Sequence, residues 1–143
     1  MDEPASIELR RREETFGAMN SKVSSFQESD MEYSVFKKED LPIINGVRVW
    51  EGRQLGDSTI SVLFVDLSPG HGPQLHLHPY EEVFLVHAGK ARFTIGQSSV
   101  DIVAGQLVVV GAHVPHKFEN CGESILRQTD IHLSATIETT WLE

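Results

Sequence analysis

The sequence predicts an all-β protein, a sandwich or jelly-roll barrel, on three observations. From Tyr33 onward the apolar residues come in short runs of β type, about ten of them. Gly, Pro and Asn-Gly interrupt these runs at regular intervals. No stretch after residue 30 carries the period of a long helix. With 143 residues, 40% of them hydrophobic, the chain is one domain with material for a real core. It divides into residues 1–30, a flexible or partly helical N-terminal extension, and residues 31–143, a single β-barrel domain.

In chain order, residues 1–30 are polar, Ser- and Glu-rich, with Ile7 through Phe16 the one place suited to a short helix. Met19 opens an alternative start that would make the first 18 residues a dispensable leader. Strands are then expected over 33–36, 47–50 and 59–67, with Leu41-Pro42 and Asn45-Gly46 as breaks. The third becomes apolar on both faces, the mark of a strand deep in a sandwich. Further strands follow over 74–78, 82–86, 91–95, 98–103, 107–110, 116–120 and 125–133. Turns are expected at His87-Ala88-Gly89-Lys90, Gly96-Gln97, Gly105, Gly111 to Pro115 and Cys121-Gly122.

Composition narrows the function classes. Twelve Lys and Arg against 21 Asp and Glu give a formal charge of −9, which disfavours a duplex-binding surface. Arg10-Arg11-Arg12 is followed at once by Glu13-Glu14, the texture of a solvated face or arm. Cys121 is the only cysteine, so no intramolecular disulfide can form and a reducing compartment fits. Nor does the N-terminus carry an apolar export signal, or any run reach bilayer length. These points lead us to expect a soluble cytoplasmic protein with neither nucleic acid nor membrane as partner.

Histidine is concentrated between Gly70 and Asn120, which hold six of the seven. His76 and His78 stand two apart, so in an extended strand both side chains leave one face. Pro79-Tyr80 breaks that strand and lets a second begin on Glu82. His116 would arrive from a distant strand, alternating with outward Lys117 and Glu119. Three imidazoles and one carboxylate suit Fe, Mn, Ni, Cu or Zn rather than Ca or Mg. His71, His87, His113 and His132 read as surface, turn or strand residues rather than ligands. Gln74 shares the parity of the histidine pair and is either a cavity or an edge polar group. Tyr80 and Glu81 lie near the expected mouth, with Glu81 solvated. Phe84, Val86, Ala91, Phe93, Ile95 and Phe118 read as core, and nothing near Cys121 would lower its pKa.

The two histidine-bearing segments resemble the paired motifs of the cupin superfamily. Gly70, His76, His78, Glu82 and Gly89 meet every position of the first motif, and Gly105, His116 and Asn120 match the second. The 15 residues between Gly89 and Gly105 resemble the short gap of small bacterial members. Two positions depart from the pattern: Gly111 stands where proline is usual, and His113 where glycine is usual. If position 113 needs positive φ, His is among the less costly substitutes, and the turn governs whether His116 points inward. Covering roughly residues 59–133, the resemblance implies a jelly-roll barrel (a double-stranded β-helix), often a homodimer. It also implies one divalent metal held by His76, His78, Glu82 and His116.

Such a ligand set leaves coordination positions open, as metal catalysis requires. The first expectation is a small metalloenzyme acting on a small oxygenated organic molecule, dioxygenase-like with Fe, isomerase- or lyase-like with Zn or Mn. The alternative is a metal-assisted sensor or carrier of a small molecule, since no acid-base residue outside the tetrad stands out. A sugar-phosphate isomerase is less favoured. It would need a cation in the cavity, and of Lys90, Arg92, Lys117 and Arg127, strand parity turns Arg92 and Lys117 outward.

Overall fold

The computed structural model describes residues 8–11, 31–55 and 58–143. β1 (Glu8–Arg11) and β2 (Met31–Val35) form a separate antiparallel pair. The expected short helix is thus replaced over Glu8–Arg11 by a strand. A helix of that length is marginal without packing, whereas β2 offers an edge to pair with. The rest of the N-terminal extension, Met19 included, lies outside the described residues.

Two larger sheets make the body, and every pairing in them is antiparallel. The first contains β3 (Ile43–Ile44), β4 (Val47–Trp50), β5 (Ser61–Leu67), β7 (Glu82–Ala88), β10 (Leu107–Val110) and β12 (Leu126–His132), in the order β10-β7-β12-β5-β4-β3. The second contains β6 (His76–Leu77), β8 (Lys90–Ile95), β9 (Ser98–Val103), β11 (His116–Asn120) and β13 (Thr140–Trp141), in the order β13-β6-β11-β8-β9. Single-turn 3-10 segments cover Lys38–Asp40 and Gly52–Leu55. The exchange of consecutive strands between two facing sheets is the jelly-roll arrangement the sequence predicts.

The strands at 47–50, 98–103, 107–110 and 116–120 have the expected bounds. Others differ. The expected strand over 74–78 shrinks to β6, because the chain bends at Leu75 before it and again from Pro79 after it. The turn expected over His87 to Lys90 tightens to Gly89 alone, at φ +90°. There a Cβ would stand 2.9 Å from the Ile125 carbonyl oxygen, so only glycine lets β7 pass directly into β8. Asn45-Gly46 has positive φ at both residues, the geometry of a tight hairpin between β3 and β4.

Alternation sets the interior. Glu82, Phe84 and Val86 of β7, Ala91 and Phe93 of β8, and His116, Phe118 and Asn120 of β11 are all buried. Phe84, Phe93 and Phe118 pack as an aromatic trio with centroids 4.9 to 5.7 Å apart, sealed by Leu126, Val65 and Val110. Burying each ring contributes about 1.5–3 kcal/mol. Register carries the same strands from this apolar layer to a polar one: β7 begins at Glu82, β11 begins at His116, and β12 ends at His132. These three residues meet at one end of the barrel. Phe84 touches the His116 ring with centroids 5.8 Å apart, so the aromatic trio supports the polar layer.

Candidate metal centre

Cross-strand register brings the four candidate donors together. His116 lies directly opposite His76 between β11 and β6, which puts their side chains on one face. Glu82, on the other sheet, projects into the same space. One donor atom from each of His76, His78, Glu82 and His116 lies within 4.8 Å of all the others, and all four residues are buried. Donors bound about 2.1 Å from one ion stand about 3 Å apart when adjacent and about 4 Å apart when opposite. The turn before β11 also has a clear geometry. His113 takes φ +65°, as its position demands, and its N–H donates to the His78 carbonyl at 2.7 Å. The departure from glycine is absorbed, and His116 points inward at 1% exposure.

The second nitrogen of each ring settles its tautomer. His76 Nδ1 donates to the Gln74 carbonyl at 2.7 Å, His116 Nδ1 to the Val114 carbonyl at 2.9 Å, and His78 Nδ1 to the Glu138 carbonyl at 2.8 Å. A carbonyl only accepts, so Nδ1 carries the hydrogen and a neutral ring leaves its Nε2 lone pair free. His78 Nε2 and His116 Nε2 face the same Glu82 oxygen, Oε1, at 3.1 and 3.2 Å. His78 Nε2 is buried without a hydrogen-bond partner. Lone pairs and a carboxylate directed at one volume repel unless a cation or protons lie between them. A divalent transition metal fits this donor set.

Electrostatics agree. Burial, with His116 and His78 close by, pushes the His76 pKa down to about 4, so its ring stays neutral and able to ligate. Burial also opposes charge on His78, but the contacts to Glu82 and the Glu138 carbonyl outweigh it and hold that pKa above the ordinary value. Glu82 is buried, yet His116, His132 and His78 around it keep its carboxyl well below the usual range.

Sequence and structure comparisons bear on this site. The Cupin domain family profile matches residues 63–132, which includes all four donors. An uncharacterised protein of Streptomyces coelicolor is 31% identical over 71 residues, 50% of this chain and 68% of the relative. The chain belongs to the cupin family. Among solved structures, this cupin resembles a Bacillus subtilis oxalate decarboxylase described for its Mn(II) centres, with TM-score 0.68, 26% identity, and coverage of 77% of this chain and 32% of that one. It also shares the fold of Lactobacillus farciminis oxalate decarboxylase in a formate complex, with TM-score 0.66, 23% identity, and coverage of 77% and 36%. The cupin spans about a third of the length of these decarboxylases.

The remaining histidines sort clearly. His71, His87 and His113 are exposed, as expected, although His71 borders the cavity mouth. His132 needs correction. Far from being a bland strand residue, it is buried directly opposite Glu82, with Nε2 2.9 Å from Oε2. Tyr80 contacts its other nitrogen at 2.8 Å, and the Glu138 N–H donates to the Tyr80 oxygen at 3.0 Å. Asp130 and Gln128, one and two steps further along the same face of β12, are also buried and bonded to each other at 2.9 Å. The available signal was parity. Leu126 is apolar, and Gln128, Asp130 and His132 share its face, an unusual polar run for an inward surface.

Gln74 is exposed and lines the cavity; its contribution to the centre is its backbone carbonyl. Glu81 is exposed. Arg92 and Lys117 turn outward as expected, onto Asp101 at 2.9 Å and Glu143 at 3.3 Å. Asn120, the last residue of the second motif, is structural. Its Nδ2 donates to the Leu67 and Ser124 carbonyls, both at 2.8 Å, and its Oδ1 accepts from the Gly122 N–H at 2.9 Å. Next to the tetrad a cavity of about 550 Å3 opens between the sheets.

Proposed function

We propose that this cupin holds one divalent transition metal through His76, His78 and His116 Nε2 and Glu82 Oε1. We further propose that it is a metalloenzyme acting on a small oxygenated organic molecule. The reaction would be dioxygenase-like or of the isomerase and lyase type. One observation carries the reading: three ring tautomers, each set by a backbone carbonyl, leave Nε2 lone pairs free in one buried cluster, where those of His78 and His116 face a single carboxylate oxygen of Glu82. A bound ion would supply Lewis acidity and open positions for an oxygen ligand. Around it the chain's own residues exclude water with the Phe84, Phe93 and Phe118 layer, orient Glu82 through His132, and place Asp130 on the cavity wall. Fe, Mn, Ni, Cu and Zn remain candidates, with Mn first to test because the Bacillus subtilis neighbour is described by its Mn(II) centres.

Asp130, His132 and Tyr80 weigh against the sensor or carrier alternative, since that reading rested on the lack of acid-base groups beyond the tetrad. A sugar phosphate is disfavoured too: among the described residues, no lysine or arginine lines the cavity. We also propose that the protein works as a homodimer in the cytoplasm. The lone Cys121 supports a reducing compartment, and among the described residues no helix is long and apolar enough to cross a membrane. The test of activity is turnover of a panel of diols, keto acids and enols by Fe(II)-, Mn(II)- and Zn(II)-loaded protein, with oxygen uptake followed in parallel. Turnover lost in His76→Ala supports an enzyme. Ligand binding without turnover by any metal form favours the carrier.

A further inference from the structure

The cavity beside the tetrad differs in chemistry from what a small diacid requires. At about 550 Å3 it is far larger than oxalate needs, and it is walled by Val47, Leu63, Val65, Leu67, Phe118 and Ile137. Among the described residues, the ionisable side chains that line it besides histidines, Glu82, Asp130 and Glu143, are acidic, and none offers a countercharge to an anion. Arg92 pairs with Asp101, and Lys117 pairs with Glu143, so neither is a free cation for a ligand. A divalent ion held by three neutral imidazoles and Glu82 keeps one net positive charge, which one ligand anion balances. A dianion leaves its second negative charge uncompensated among aliphatic walls, whether its second carboxylate meets the ion or the wall, a costly desolvation.

We propose that this cavity takes a singly charged oxygen chelator carrying an apolar body, and discriminates against dicarboxylates such as oxalate. The inference rests on the metal reading above and deepens it. The charged head meets the ion at the tetrad, and the body lies along β4 and β5, where Val47, Leu63, Val65 and Leu67 replace its water.

The probes are straight-chain 2-oxo acids, from pyruvate to 2-oxohexanoate, compared with oxalate. All chelate through two adjacent oxygens and differ in tail and charge. Co(II) is first titrated alone into the full chain and followed by its visible absorption. The acids are then titrated into the Co(II) protein by calorimetry. Affinity should rise about fourfold per methylene, about 60-fold across the series, and 2-oxohexanoate should bind more tightly than oxalate. Val47→Lys, at a half-buried wall position, should raise oxalate affinity and flatten the series; a thermal melt checks its fold, and the wild-type series stands without it. A flat wild-type series, or oxalate binding as tightly as 2-oxohexanoate, overturns the inference while leaving the metal site intact. Failure of Co(II) to bind at all removes the metal reading itself, and this inference with it.

Discussion

Glu82 is held by both of its carboxylate oxygens. As a carboxylate it only accepts, so His132 donates from Nε2 to Oε2; in a neutral His132 ring Nδ1 is then the acceptor for the Tyr80 hydroxyl, whose oxygen also accepts from the Glu138 N–H. His132 thus has the opposite tautomer to His76, His78 and His116, and it leaves Oε1 to face His78 and His116. It acts as a positioning residue. His132→Ala should weaken metal binding about 10- to 100-fold in a competition titration against a chelator, and His132→Gln, which can still donate, should recover part of the loss. Unchanged affinity in the alanine variant contradicts this role. Asp130 makes a separate prediction. Burial, and the nearby Glu82 charge, hold its carboxyl well above the usual range. A raised folded pKa favours the native state fully below the unfolded value of about 4, and that advantage is lost as pH rises toward the folded value. Asp130→Asn escapes the loss. In metal-free protein its urea midpoint should exceed that of the wild type at pH 8, and the two should converge near pH 4. A pH-independent difference would be the contrary result.

At the scale of elements, strands carry the donors and turns aim them. Gly89 allows β7 to enter β8 without a loop, and the His113 turn ties the β11 entrance to His78 through one short backbone bond. The Cys121-Gly122 turn depends on Asn120, whose side chain satisfies two carbonyls and one N–H while itself 1% exposed. Asn120→Ala strands those groups and should cost about 2–4 kcal/mol in urea unfolding; a loss under about 1 kcal/mol would show that water replaces the side chain. The same logic explains what could be read from sequence. His76, His78, Glu82 and His116 were legible because period-2 parity and motif spacing act within single strands. His132 and Asp130 were not, because whether the polar face of β12 points inward depends on its pairing with both β5 and β7. β3 and β13 escaped because two-residue strands have no period to detect. The β1 strand escaped because its partner, not its own pattern, decides between helix and strand.

At the scale of the molecule, the barrel separates its duties. Phe84, Phe93, Phe118 and Leu126 close one layer, and the histidine layer opens onto the cavity above it. β10 is an edge of the six-stranded sheet, and its Leu107 and Val109 are more than half exposed. An apolar edge of that kind suits pairing with a second copy. Light scattering after size exclusion should give a dimer mass at micromolar concentration, reduced to a monomer by Leu107→Lys with Val109→Lys; a wild-type monomer contradicts the homodimer. The central claim is the ion itself. Metal analysis of protein purified without added ions, then reloaded and dialysed, tests it most directly. The account predicts close to one tightly held divalent transition metal per chain in the wild type and almost none in His76→Ala. Equal metal content in the two proteins, or none in either after reloading, would contradict it.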